Sequence, residues 1–112
     1  MMIELLFAAT LMTEPRPVWN EVSLKAFVRG EVSRSGWGQG QWECLDTLIH
    51  HESRWNHRAV NPTSGAVGLF QRIDGSPYHS VRRQVEWGLN YVENRYDEPC
   101  NALRFFRANN WY

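Results

Sequence analysis

Glu52 is the residue around which chemistry can be organised. It stands in the stretch from Trp42 to Gln71, WECLDTLIHHESRWNHRAVNPTSGAVGLFQ. Apolar residues at Trp42, Leu45, Leu48 and Ile49 recur close to a period of 3.6, which predicts a helix. Glu52 follows Leu48 by four positions and Leu45 by seven, so it continues the apolar stripe. A carboxylate on a buried helix face is costly when charged, so it must be paired, protonated or used. The turn-rich run Asn61-Pro62-Thr63-Ser64-Gly65 comes next, and then the small-residue segment Gly65-Ala66-Val67-Gly68-Leu69-Phe70-Gln71. An acid at a helix end facing such a loop makes one wall of an active-site cleft.

His50, His51 and His57 flank Glu52 and raise the question of a metal. The pattern is not HExxH, and His51 is adjacent to Glu52 rather than on a common helical face with another ligand. The histidines read as exposed or cleft-lining, with no metal and no cofactor implied.

The elements that must position Glu52 follow from the rest of the chain. An apolar stretch over residues 1–12 reads as a short helix or arm, ended by Pro15 and Pro17. A helix is expected from about Asn20 to Val32, with Asn20 as its cap. The glycine-rich SRSGWGQG of residues 33–40 then leads into the Glu52 helix, expected to begin at Gln41. Residues 72–79 hold the turn signals Asp74-Gly75 and Ser76-Pro77, which fit a hairpin or an irregular loop. Ser80 caps a helix with Val81, Val85, Leu89, Val92 and Tyr96 on its buried stripe. Pro99 opens a last helix bearing Cys100, Leu103 and Phe106. The class is mainly α, a single domain with a small irregular or hairpin loop region, divided into an N-terminal helical arm (1–35) and the domain proper (36–112).

With 12 basic and 12 acidic side chains in 112 residues, the chain lacks the clustered basic excess that captures nucleic acid. Arg82-Arg83 and the Arg104/Arg107 pair read as solvated helix faces. The N-terminal apolar run carries Glu4, lacks a basic leader, and is too short to span a bilayer, which takes about 20 apolar residues. Cys44 and Cys100 are either one disulfide closing a long loop or two buried thiols; both readings stand.

Glu52-Ser53, Asn61-Pro62 and Gly65-Ala66-x-Gly68-Leu69-x-Gln71 together resemble the soluble lytic transglycosylase (SLT-like, lysozyme-like) domain. Gln41-Trp42-x-Cys44-Leu45, Trp87-Gly88-Leu89-x-Tyr91, Arg95-Tyr96, Pro99-Cys100 and the closing Asn110-Trp111-Tyr112 are similar to such domains in actinobacterial secreted proteins and phage tail proteins. The likeness runs from about Gly36 to Tyr112.

The resemblance implies that Glu52 protonates the glycosidic oxygen between N-acetylmuramic acid and N-acetylglucosamine in peptidoglycan. Glu52 then acts as base on the muramic 6-hydroxyl, closing a 1,6-anhydro ring. Burial would supply the raised pKa that such an acid needs. A glycosidase using water normally needs a second carboxylate; Asp74 is the only acid just beyond the motif, and its Asp-Gly context marks it as a turn residue. Asn61, Gln71, Ser53 and Tyr91 are the candidate substrate-binding residues, with Ser53 also suited to supporting the helix end. Among the six tryptophans, Trp37 and Trp55 lie beside loops and are candidates to stack on sugar faces.

The family's third motif, Ala-Tyr-Asn-x-Gly, is missing: the corresponding stretch is Phe105-Phe106-Arg107-Ala108-Asn109-Asn110. The tyrosine usually opposite the glutamate is therefore unassigned, with Tyr91 and Tyr96 as candidates. The expected setting is extracytoplasmic or virion-associated, with peptidoglycan strands as partner and virion or tail proteins as partners of the N-terminal arm. The alternative is a catalytically weak lysozyme-like component of a virion or secreted assembly.

Overall fold

The computed structural model describes residues 18–76 and 79–112. The expected helix over residues 1–12 lies outside them. Four helices follow one another: α1 (Glu21–Arg34), α2 (Gln39–Ser53), α3 (Val81–Tyr96) and α4 (Pro99–Asn109). The architecture is mainly helical. Among the described residues there is no strand, only the antiparallel bridges Val60–Val67 and Val67–Arg72 in the loop between α2 and α3.

Local chemistry explains each boundary. Asn20 and Ser23 form a reciprocal capping box at 2.9 Å in both directions, satisfying two backbone donors at the start of α1. Helix α2 begins at Gln39, two residues before the expected Gln41, because Gly36 (φ +84°) turns the chain and Gly38 takes the extended cap conformation. Ser80 Oγ accepts from Arg83 N at 3.1 Å to cap α3. Pro99 occupies the first turn of α4, where its missing N–H costs nothing.

One core joins all four helices. It holds Leu24, Val28 and Val32 from α1, Leu45, Leu48 and Ile49 from α2, Val85 and Val92 from α3, and Ala102 and Leu103 from α4. Helix α1 thus packs its buried face into the same core as the other three helices. Helix α4 packs against α2 and α3, and α1 against α2. The α2–α4 contact is fixed twice: Gln41 Oε1 accepts from Cys100 N at 2.8 Å, capping α4 from the neighbouring helix, and Cys44 is disulfide-bonded to Cys100.

The bridge spans a sequence separation of 56. Closing a loop of that length removes chain entropy from the unfolded state worth about 4 kcal/mol. Denaturant unfolding of the oxidised chain and of the Cys44→Ser/Cys100→Ser chain should differ by about that amount. Coincident midpoints would mean that the staple contributes nothing to stability.

Candidate active site

Helix α2 ends just after Glu52 because Arg54 and Trp55 both adopt left-handed backbone, φ +51° and +61°. Non-glycine residues rarely do so, and each costs on the order of 1 kcal/mol. The reversal buries the Trp55 ring against Trp42, and its Nε1 donates to Asp46 at 2.8 Å. Trp55 is therefore a core residue and is not open to a sugar. Trp37 likewise packs against the core and does not line the cleft.

The loop after the reversal is held by side chains. Ser53 is buried, and its Oγ donates to Leu69 O at 2.9 Å and to Ile49 O at 3.2 Å. Its hydroxyl is consumed in tying the loop to α2, so of its two expected roles only the supporting one fits. Gln84 on α3 completes the tie: its Oε1 accepts from Leu69 N at 2.9 Å, and its Nε2 donates to His57 O and His79 O, both at 3.0 Å. Gly68 (φ +84°) is needed here, since a Cβ at this position would collide with the Gln84 amide. The only sequence sign of Gln84 is a polar residue beside the buried Val81 and Val85.

Asn61 makes an Asx turn, its Oδ1 accepting from Thr63 N (2.9 Å) and Ser64 N (3.1 Å). Gln71 sits at φ +53°, and its Nε2 donates to Gly68 O (3.0 Å) and Ala59 O (3.3 Å). Both side chains hold the loop while lining a cleft of about 540 Å³.

Glu52 lines that cleft with Phe70, Trp87, Tyr91, Trp111 and Tyr112. Burial pushes the Glu52 carboxyl from its ordinary value near 4.5 up to about 7. Tyr112 lines the cleft and is pinned at both ends: its hydroxyl donates to Phe70 O at 2.8 Å, and its backbone oxygen accepts from Tyr91 OH at 3.0 Å. Burial, and then the charge of Glu52, hold the Tyr112 phenol well above the usual tyrosine range. The residue electrically coupled to the acid is thus Tyr112; the sequence offers it only as the last letter of a closing motif. Tyr91 reaches the cleft, whereas Tyr96 packs against the core. Trp111, braced edge-on by Phe105 at 4.9 Å with Arg95 over its ring at 5.3 Å, and Trp87 are the cleft tryptophans.

Asp74 also lines the cleft, in a different electrostatic state. Arg72 binds both its oxygens, at 2.7 and 3.3 Å, and holds the carboxyl below its usual range. The two carboxyls of the cleft therefore have opposite protonation tendencies near neutral pH.

The raised pKa makes Glu52 visible in stability. Between about pH 4.5 and 7 the folded chain keeps a proton that the unfolded chain releases, so stability falls as pH rises through that window and levels off above it. Glu52→Gln should flatten this slope and stabilise the chain at pH 8 by about 1–2 kcal/mol, allowing for partial solvent access. Urea unfolding of both chains at pH 4, 6 and 8 measures it; parallel pH profiles would show an ordinary carboxyl.

No curated protein matches the chain, and no solved structure does. The sequence model of the family described as "Transglycosylase SLT domain" matches residues 36–105, which include α2, α3, the Glu52 loop and most of α4. With well over half its length in that match, the chain belongs to the transglycosylase SLT domain family.

Proposed function

We propose that the chain is a lytic transglycosylase that cuts the β-1,4 bond between N-acetylmuramic acid and N-acetylglucosamine, with Glu52 as its general acid and base. Membership of the family supports action on peptidoglycan. The observation that carries the assignment of Glu52 is its carboxyl, raised to about 7 by burial, in a cleft with aromatic walls. Such an acid is protonated at the start of the reaction and a competent base after giving up its proton.

In the first step Glu52 gives its proton to the glycosidic oxygen. The bond from that oxygen to the muramic anomeric carbon breaks, and the glucosamine leaves with a free 4-hydroxyl. The muramic N-acetyl oxygen supports the electron-poor carbon. In the second step the Glu52 carboxylate takes the proton of the muramic 6-hydroxyl as its oxygen bonds to the anomeric carbon. The ring closes without water, and Glu52 is protonated again.

The remaining roles follow from unused hydrogen-bonding capacity. The Asn61 Nδ2 and the Gln71 amide oxygen make no side-chain hydrogen bond among the described residues, which leaves a donor and an acceptor for hydroxyl and N-acetyl groups. Trp111, about half exposed, offers ring surface to pyranose faces, while the Trp87 ring, stacked by Tyr91 and Arg72, forms the cleft wall beside it. Tyr91 and Tyr112 form the wall beside the acid, and Tyr112 takes the part of the missing motif's tyrosine. The setting is extracytoplasmic, where peptidoglycan lies and a disulfide persists.

A second reading rests on Asp74: an ionised carboxylate in the same cleft could activate water, giving muramidase-type hydrolysis. Its two bonds to Arg72 argue against a free base. Mass spectrometry of digested peptidoglycan decides. Products ending in a 1,6-anhydro ring are expected, with loss of at least about 100-fold in rate for Glu52→Gln. Reducing ends carrying added water would transfer the assignment to hydrolysis, and equal behaviour of Glu52→Gln would mark a structural module.

Tyr112→Phe keeps the ring and removes the hydroxyl that feels the charge of Glu52. Stability should fall by about 1 kcal/mol for the lost bond to Phe70 O, and cleavage by about tenfold or more. An unchanged rate would reduce Tyr112 to a packing residue.

A further inference from the structure

A second hollow, of about 490 Å³, adjoins the cleft across Trp87, whose side chain lines both. Arg72, Arg82 and Arg83 line it, against a single carboxylate, Glu86. Arg72 lies over the Trp87 ring at 4.9 Å and is partnered by Asp74 on the cleft side. Arg83 has no ion pair among the described residues; Arg82 has none either and only rests over Phe27 at 5.4 Å. The chain has no net charge, so two guanidiniums without an ion pair, set against the one carboxylate of Glu86, are a local positive excess.

The position of these arginines strengthens the point. Both stand in the first turn of α3, which contains no acid. The helix dipole disfavours cations there, so they carry a small stability cost that an anionic ligand would relieve. His79 senses the same field: burial chiefly lowers its pKa, and the charges of Arg83 and Arg72 lower it further.

We propose that this arginine-lined hollow binds free carboxylates of the peptide stem borne by the glycan strand in the Glu52 cleft. The inference rests on the transglycosylase reading, which supplies the strand. The stem branches from the muramic acid at the scissile bond, so it leaves the cleft beside the residues that wall it. Trp87 is the divide between sugar and peptide, and Arg72 is held at that divide by Asp74. Arg82 and Arg83 take the carboxylates as exposed, salt-sensitive pairs.

The test is a nuclear magnetic resonance titration of the full chain with a stem tetrapeptide carrying free carboxylates. The same peptide with every carboxylate amidated, and inorganic phosphate, serve as comparisons. Saturable shifts of the Trp87 indole and the Arg82 and Arg83 Nε–H signals are expected with the acidic peptide alone. Affinity should weaken about fivefold or more in Arg82→Ala/Arg83→Ala and again on raising salt. No shift, equal shifts with the amidated peptide, or equal shifts with phosphate would each overturn the proposal, the last by showing a general anion surface. The amidated arm needs no variant, so misfolding of the double mutant cannot hide the answer. Cleavage of peptide-free strands, assayed separately, tests Glu52 and not the hollow, so failure of one is told from failure of the other.

Discussion

Everything near Glu52 depends on how one buried residue, Leu69, has its backbone satisfied. Among the described residues, the loop between α2 and α3 has no regular pairing beyond isolated bridges, and a buried backbone group without a partner costs about 1–3 kcal/mol. Ser53 on α2 takes up the Leu69 carbonyl, and Gln84 on α3 takes up its N–H. Two helices thus hold the two peptide groups of one residue between them, and the segment from Ala66 to Phe70 is buried as a consequence. Because Ser53 follows Glu52 directly, the tether that fixes the loop also fixes its distance from the acid.

That placement sets the electrostatics. Phe70 is carried into the cleft wall by the tethered loop and accepts the Tyr112 hydroxyl on its carbonyl. Gly88 on α3 has no room for a side chain, because the Phe70 ring lies against its backbone. Packing desolvates Glu52, and no charge among the described residues offsets that loss of solvation. Asp74, at the exposed rim and gripped by Arg72, keeps its charge. The cleft thereby holds two carboxyls shifted in opposite directions, Glu52 at the end of α2 and Asp74 on the loop, without any contact between them being needed.

Much of this was legible in the sequence because it rests on local rules. The apolar period gave the helices, Asn20, Ser80 and Pro99 marked their starts, and the interruption of an apolar stripe by an acid pointed to Glu52. The parts that were hidden depend on long-range pairing. Trp55 stands beside a loop in sequence but is folded back into the core by two left-handed residues, Arg54 and Trp55 itself. No propensity rule anticipates that in non-glycine residues. Gln84 contacts groups 5, 15 and 27 positions away. Its role emerges only once α3 has docked. The cysteines, left open between bridge and thiols, are bonded because α2 and α4 pack side by side.

The missing third motif can be understood in the same terms. On the proposed function, the phenol that the motif would supply must be fixed by other residues. Here the closing residues do so from outside α4. Asn110 ends the helix in a left-handed conformation (φ +64°), which turns the chain back toward the cleft. Trp111 is braced by Phe105 and Arg95, and Tyr112 is anchored through both its hydroxyl and its backbone oxygen. Phe105 and Tyr112 both pack on Tyr96, at 5.4 and 6.3 Å between ring centroids, so the aromatic residues of α3 and α4 form the seat for the tail. The stretch that lacks the motif, Phe105 to Asn110, is therefore the stretch that leads Tyr112 into the cleft.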